Sequence, residues 1–443
     1  MANTRKVCLI DGSRTPIGTF GRSLSRVKVD KLAEHAMKQA IRKSGVQPND
    51  IDGIILGHGY QSGYTPNTAR FAALAAGLPA SIPAMTVQRQ CGSGMEAVDL
   101  AAKEIMLGNG DVYLAGGAES MSTVPYLVDG QLRFEGKPAE KFKSFASQFA
   151  KGPVPQVLDA ISRGYDSGPV GNGLNKMFAN INKFGPRPYI GLVDDALLPT
   201  CHLWDTETTH MAGTAQRLAD TYDISREEAD EYSCRSHTRA VEAQNSGRFD
   251  CEVDPIEVPG RGFFKKDEHP RAGTTKEKLA SLRPVLRTRV VTAGNSSGIN
   301  DGACAVILAS EQKTKQLGLK PLAYIVDSCV AGVDPEQMGL GPVVAIEKLL
   351  KRNNLTVKDI DLFEINEAFA AQYLACEKLL KLDREKVNVN GGAIALGHPI
   401  GMSGARLVLT LAHELRRRNL KRGIASLCIG GGMGIATLIE STS

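Results

Sequence analysis

The stretch Val87-Gln88-Arg89-Gln90-Cys91-Gly92-Ser93-Gly94-Met95-Glu96-Ala97 decides how this chain is read. An apolar run over 82–87 stops at a polar triplet, and Met95, Val98, Ala101, Ala102 and Ile105 then recur at helical spacing. The pattern predicts a strand, a tight turn carrying Cys91, and a helix. A thiol in the first turn of a helix sits beside unpaired backbone N–H groups at the positive end of the macrodipole. Both favour the thiolate, which is the nucleophile. Gly92 and Gly94 allow a sharp turn and leave room for a substrate. The other reading is a small buried cysteine closing a strand, since free cysteines are among the most buried residues.

Outward from this stretch, strands and helices alternate. Residues 7–10, 51–56 and 111–120 read as strands, with helices between them. The alternation predicts a mostly parallel sheet covered by helices on both faces. It breaks near Val124, and from about 126 to 207 the chain is irregular and rich in Gly, Pro, Lys and Phe, which predicts an inserted loop domain. Ser225 with Glu228 three residues on makes a capping box that opens a helical pair over 225–246, and 261–271 reads as a basic, mobile loop. The α/β alternation resumes at 290–302 and ends in two strands joined by glycines. The halves echo each other: Cys91-Gly92-Ser93-Gly94 and Gly401-Met402-Ser403-Gly404 each lead into a helix, and each is followed by a strand ending in glycines. That predicts a duplicated unit with a site between its copies.

A chain of 443 residues suits two or three domains, and 46 glycines with 5% aromatics suit close-packed α/β layers. The net charge of +5 is too small to point to nucleic acid or a membrane surface, and it would not repel an anionic ligand. Arg416, Arg417 and Arg418 sit at a predicted helix end, where they complement its dipole. Nine irregularly spaced cysteines without a Cys-x-x-Cys pair make neither a disulfide framework nor a zinc site and suit a reducing cytosol. No apolar run approaches a membrane span and no signal peptide is expected, so the expected location is cytoplasmic.

Three further turns carry reactive groups: Asn366-Glu367-Ala368, Gly397-His398-Pro399 and Cys428-Ile429-Gly430. His398 has little core to fill in such a turn. Cys428 borders glycines where a backbone N–H can face a ligand, or is a small hydrophobe in a strand. Asn366 caps a helix or offers its carboxamide. Together they suggest one cysteine that attacks a carbonyl and holds an acyl group, and a histidine that takes a proton from a thiol nucleophile or activates Cys91. A second cysteine exchanges a proton with the carbon next to the carbonyl, while Asn366 and backbone N–H groups stabilise oxyanions.

The motifs Gln90-Cys91-Gly92-Ser93-Gly94, Asn366-Glu367-Ala368-Phe369, Gly397-His398-Pro399-Ile400-Gly401 and Cys428-Ile429-Gly430-Gly431-Gly432-Met433-Gly434 resemble the thiolase family of acetyl-CoA acetyltransferases and 3-ketoacyl-CoA thiolases, in the family's order and nearly end to end. The resemblance implies an α/β fold, a duplicated five-layer α-β-α-β-α arrangement with an inserted loop domain. The N-terminal half is 1–123 with 300–320, the loop domain 124–299, and the C-terminal half 321–443. It implies a ping-pong reaction in which Cys91 is acylated and coenzyme A or an acyl-CoA enolate then attacks. Coenzyme A and acyl-CoA are substrates, with no permanently bound cofactor and no metal. His398 is implied as the base toward Cys91 and the incoming thiol, and Cys428 as the acid/base at the α-carbon. Asn366, through a water, and His398 form one oxyanion hole; the N–H groups of Cys91 and Gly430 form the other. Coenzyme A contacts carry over to His210 and Met211, with Ala212 where a glycine is usual. They carry over also to Ala293 and Ser297 along the adenosine and pantetheine path, and to Arg271 near the phosphates, where a guanidinium suits paired hydrogen bonds.

The resemblance also implies a homodimer or homotetramer, and it allows association with a hydratase/dehydrogenase subunit. The stretch 123–209 is longer than in short-chain acetoacetyl-CoA thiolases. That length, and Asp205-Thr206-Glu207-Thr208 with Arg217-Leu218-Ala219, resembles the thiolase subunit of fatty-acid oxidation complexes. That subunit carries histidine where Asn366 stands, so the catalytic motifs side with the short-chain group and acetyl-CoA C-acetyltransferase is the expected activity. A decarboxylating ketoacyl-synthase-like condensing enzyme would need histidines at both later positions and no Cys428. A non-catalytic acyl-CoA-binding subunit would tolerate the loss of reactive groups, of which none is missing.

Overall fold

A computed structural model describes residues 5–61, 65–128, 193–195 and 210–442. In chain order its strands are β1 (Val7–Arg14), β2 (Gly18–Thr19), β3 (Gly53–Gly57), β4 (Ala84–Val87), β5 (Val112–Ser120), β6 (Tyr126–Val128), β7 (Val193–Asp195), β8 (Ile256–Val258), β9 (Gly262–Phe264), β10 (Asn300–Ser310), β11 (Ala323–Gly332), β12 (Leu362–Ile365), β13 (Arg422–Ile429) and β14 (Met433–Ser441). Its α-helices are α1 (Val29–Ser44), α2 (Thr68–Ala75), α3 (Ser93–Leu107), α4 (Met211–Thr221), α5 (Arg226–Asn245), α6 (Lys276–Ala280), α7 (Glu311–Gln316), α8 (Gly341–Arg352), α9 (Ala370–Leu380), α10 (Ala393–Leu396) and α11 (Ile400–Arg418).

One sheet runs in the order β12-β13-β14-β11-β1-β10-β5-β3-β4, with β2 added beside β10. It consists of two like halves. From the outer edge, β4, β3 and β5 are parallel, and β10 and β1 then follow antiparallel. In the other half, a bridge at Val387, β12 and β13 are parallel, and β14 and β11 then follow antiparallel. The register slips at Leu9/Asp11 on β1 and at Ile325/Asp327 on β11, the same place in each copy. The halves join where β1 meets β11 antiparallel over Val7–Leu9. The expectation of a mostly parallel sheet is therefore corrected. β14 follows β13 through three glycines, too short for the crossover a parallel pair needs, and β10 returns antiparallel between β5 and β1.

The layers follow from which side chains face which way. Along β1, Val7 and Leu9 enter one core while Cys8 and Ile10 enter another, the period-two alternation of a strand buried on both faces. α1 and α2 cover the N-terminal half on its outer face, α8 and α9 the C-terminal half on its outer face, and α3 with α11 fill the layer between. That is the five-layer arrangement.

The chain divides into two compact units, Met1–Val124 with Pro199–Ser443, and Pro125–Leu198. In the second, β6 and β7 pair antiparallel, with Tyr126 opposite Asp195. α4 and α5 belong to the first unit, where Leu218, Ala219, Ile224, Ala229 and Tyr232 enter the outer core of the C-terminal half. The capping box at Ser225 and Glu228 is present, but it opens one helix rather than a pair. The segment 261–271 is a correction: β9 pairs with β8, and Asp267 accepts from the buried Arg14 at 2.7 and 3.0 Å. Arg417 and Arg418, in the last turn of α11, fold back on Glu414. Asp205-Thr206-Glu207-Thr208 lies outside the described residues.

Candidate active site

Two helix mouths build the site. α3 and α11 touch through bare backbone: a Cβ on Gly94 would lie 2.5 Å from Gly401 O and 3.1 Å from Ala405 N. Cys91 stands three residues before Gly94 and His398 three residues before Gly401, so the contact carries both side chains to one junction. The end of β13 closes on the same turn, because a Cβ on Gly92 would meet Ile429 Cδ1 at 2.6 Å. Gly430 faces Gln90 Cγ and Met211 Sδ, 4.0 and 3.9 Å from where its Cβ would be. Cys428 thereby arrives beside Cys91.

The half-buried Cys91 lies on a tightly held turn. Gln90 takes φ 44°, and Ser93 Oγ donates to Gln90 O at 2.6 Å while accepting the Arg89 N–H at 2.9 Å. Arg89 is itself pinned by Glu96 at 2.8 and 2.9 Å. None of the eight described cysteines forms a disulfide.

His398 is buried and held from three sides. Its backbone N–H donates to Asn300 Oδ1 at 2.9 Å, and the Asn300 amide is oriented by donating to Gly18 O at 3.0 Å. Its Nδ1 lies 2.6 Å from Ser403 Oγ and its Nε2 3.4 Å from Asn366 Nδ2. Gly397, at φ +105°, leaves the room Asn300 occupies. Burial, then the Arg406 charge, bring the imidazole down to about 4, so at neutral pH it is an uncharged base. Among the described residues the buried Asn366 Oδ1 has no hydrogen-bond partner.

Cys428 is fully buried among Met338 and Ala368, with Met211 and Phe369 packed on them. Burial first, then the Cys91 and Cys376 charges, push its thiol well above the usual cysteine range. One sulfur is thus kept as a protonated thiol beside another on a helix mouth. Glu119 adds a support: it accepts from Gly401 N at 2.9 Å and Gly59 N at 3.0 Å, locking the start of α11 to the end of β3.

The structure gathers Cys91, His398, Cys428, Asn366 and Gly430. It places Met211 with them, at the first position of α4, and His210 beside it as the cap, its Nδ1 accepting from Gly213 N at 3.0 Å. Ser297 donates its backbone N–H to Ala368 O at 2.9 Å, so it borders the Asn366 turn. Ala293 and Arg271 are exposed, and among the described residues no hydrogen bond or packing contact joins them to the central groups. Asn300, Ser403, Glu119 and Met338 were not singled out from sequence. Ser403 alone left a trace, as the polar residue of Gly401-Met402-Ser403-Gly404.

The thiolase N-terminal domain model matches residues 7–179 and 191–312, and the thiolase C-terminal domain model matches 319–441. An acetyl-CoA acetyltransferase of Cupriavidus necator is 41% identical over 440 residues, covering 98% of this chain and 99% of its own. A probable acetyl-CoA acyltransferase of Staphylococcus aureus is likewise 41% identical with the same coverage. Among solved structures, the Bacillus anthracis acetyl-CoA acetyltransferase aligns with a TM-score of 0.84 and 44% identity, covering 99% of both chains. Human mitochondrial 3-ketoacyl-CoA thiolase in complex with CoA aligns at 0.83 with 40% identity, covering 99% of this chain and 98% of that one. Such likeness over the whole length makes the protein an acyltransferase enzyme of mixed α/β build. The chain belongs to the thiolase family.

Proposed function

We propose that this chain makes or cleaves a 3-ketoacyl-CoA through an acyl group held on Cys91, with acetyl-CoA C-acetyltransferase as its particular activity. The convergence of the Cys91 turn, Cys428 and His398 Nε2 from three distant turns carries the proposal. Cys91 Sγ attacks the thioester carbonyl, the bond from carbon to the coenzyme A sulfur breaks, and the neutral His398 passes the Cys91 proton to the leaving thiolate. His398, neutral again, takes the proton of the Cys428 thiol, and the Cys428 thiolate then removes a proton from the α-carbon of a second acyl-CoA. The new carbanion attacks the acyl carbon on Cys91, a carbon–carbon bond forms, the carbon–sulfur bond to Cys91 breaks, and His398 returns its proton to the Cys91 sulfur. Thiolysis is the reverse. The Asn366 side with His398, and the N–H groups of Cys91 and Gly430, are where developing oxyanions would be held.

In the same proposal coenzyme A and acyl-CoA are substrates, contacted by His210, Met211, Ala293, Ser297 and Arg271, and the domains are 1–123 with 300–320, 124–299 and 321–443. The enzyme is cytoplasmic and a homodimer or homotetramer, able to associate with a hydratase/dehydrogenase subunit. Among the described residues no helix is long and apolar enough to cross a membrane. The edge strand β4, with Met85 exposed on it and Phe71 and Leu74 exposed on α2, supports pairing with a second copy.

Two variants test the chemistry. Cys91→Ala should abolish acetyl transfer while acyl-CoA still binds, and thiolysis of acetoacetyl-CoA at the parent rate would remove Cys91 as nucleophile. Cys428→Ala should slow carbon–carbon chemistry far more than acylation of Cys91; equal losses in both steps would remove it as the α-carbon acid/base.

A further inference from the structure

We propose that Ser403 is a positioning residue that fixes which nitrogen of His398 carries the proton, leaving Nε2 bare on the side of Asn366. Its role depends on His398 acting as the base proposed above. A serine hydroxyl has one proton to give. Ser403 Oγ lies 2.8 Å from Pro399 O, which can only accept, and 2.6 Å from His398 Nδ1. With the hydroxyl proton on Pro399 O, the short contact to the ring needs a proton on Nδ1. A neutral imidazole has only one, so Nε2 is left with its lone pair. Asn366 agrees from the other end: its Nδ2 faces Nε2 at 3.4 Å, and an amide nitrogen can only donate.

The opposite arrangement is poorer. A hydroxyl turned toward the ring would donate to Nδ1, give up its bond to Pro399 O and move the ring proton to Nε2, against the Asn366 amide. The chosen one forms an unbroken N–H···O–H···O=C chain in a buried place, where such chains strengthen themselves. The ring has little other freedom. Asn300 holds the His398 backbone, and Ser403 and Pro399 sit on the same first turn of α11, so the hydroxyl is presented at a fixed height below the ring. At the Cys91 mouth, Ser93 bonds to backbone groups of its own turn instead.

The test is the tautomer itself. The full-length enzyme labelled with 15N-histidine, its His398 signals assigned by their loss in His398→Asn, should show the proton on Nδ1 at neutral pH. Ser403→Ala should move the population toward Nε2–H and lower turnover about 10- to 100-fold, because a positioned base contributes about 100- to 10,000-fold and a wrongly protonated ring forfeits much of it. KM for acyl-CoA should stay within about twofold, and Ser403→Thr should restore most of the turnover. A parent spectrum with the proton on Nε2 overturns the proposal, and does so even when Ser403→Ala fails to fold. So does a folded Ser403→Ala enzyme with parent turnover and Nδ1–H. Parent turnover in His398→Asn would instead end the base assignment, a separate failure from either of these.

Discussion

Adding one methyl group at Gly94 sets two opposing effects against each other. Gly94 is the second residue of α3, and alanine in a helix is favoured over glycine by about 1 kcal/mol. On propensity alone Gly94→Ala stabilises. The structure predicts the reverse. The new Cβ would stand 2.5 Å from Gly401 O, 3.1 Å from Ala405 N and 3.3 Å from Met402 O, all backbone atoms of α11 that cannot turn aside. A carbon and a carbonyl oxygen come no closer than about 3.3 Å, so the helices must part by about 0.8 Å. Overpacking costs about 1–3 kcal/mol, and a rigid backbone neighbour puts this site at the upper end. The net loss is about 2 kcal/mol, a fall in Tm of about 2–4 °C for a chain this size. Because Cys91 and His398 ride on the two helices being separated, a misplacement approaching 1 Å should also lower acetyl transfer about 100-fold. Thermal melting and an acetoacetyl-CoA thiolysis assay read both. A variant that melts at or above the parent temperature with full activity would refute the close crossing of α3 and α11.

Two further outcomes follow from buried charge. His398 and His237 are both brought down to about 4, chiefly by burial, so between pH 6.5 and 4 the unfolded chain binds protons that the folded one refuses. Stability is then full above about pH 6.5 and is lost as pH falls, by up to about 3 kcal/mol for each histidine. Urea midpoints at pH 7 and 4.5 should fall less steeply in His398→Asn than in the parent, and identical slopes would contradict the depressed imidazole. Arg14 is fully buried, with Nε 2.7 Å from Glu252 and Nη1 2.7 Å from Asp267. Arg14→Leu strands two carboxylates and should cost about 3–5 kcal/mol in urea unfolding, with partial recovery on adding Asp267→Asn; a loss below about 1 kcal/mol would show the pair to be solvated.

What was legible in the sequence was local. Ser225 and Glu228 are three residues apart, and their capping box formed as read. The Cys91 turn declared itself by a polar triplet and glycines, and α3 begins two residues later. What failed depended on partners far along the chain. The segment 261–271 read as mobile because its charges had no visible destination, yet Asp267 reaches Arg14, 253 residues away. The sheet read as parallel because strands and helices alternate, while the antiparallel return of β10 is set by Val7 pairing with Ser310. Asn300 looked like one more residue of a glycine-rich stretch until its amide was seen bridging Gly18 and His398.

The internal echo was also read three residues out of step, and the correction explains the site. Pairing Cys91-Gly92-Ser93-Gly94 with Gly401-Met402-Ser403-Gly404 sets Cys91 against a glycine. In the two copies of the fold, α3 begins at Ser93 and α11 at Ile400, so Cys91 corresponds to His398, Gly94 to Gly401 and Met95 to Met402. The thiol and the imidazole therefore occupy one structural position twice, brought face to face because the second residue of each helix is a glycine. The surroundings then divide the labour. At the first mouth the thiol is half exposed at a helix N-terminus, whose field favours an anion. At the second, Glu119 takes the Gly401 N–H, and burial with the Arg406 charge keeps the imidazole neutral. In the roles proposed for them, a nucleophile that must become negative and a base that must stay uncharged need opposite settings. A duplicated turn supplies the geometry for both, and the difference in burial and local charge between its two copies supplies the chemistry.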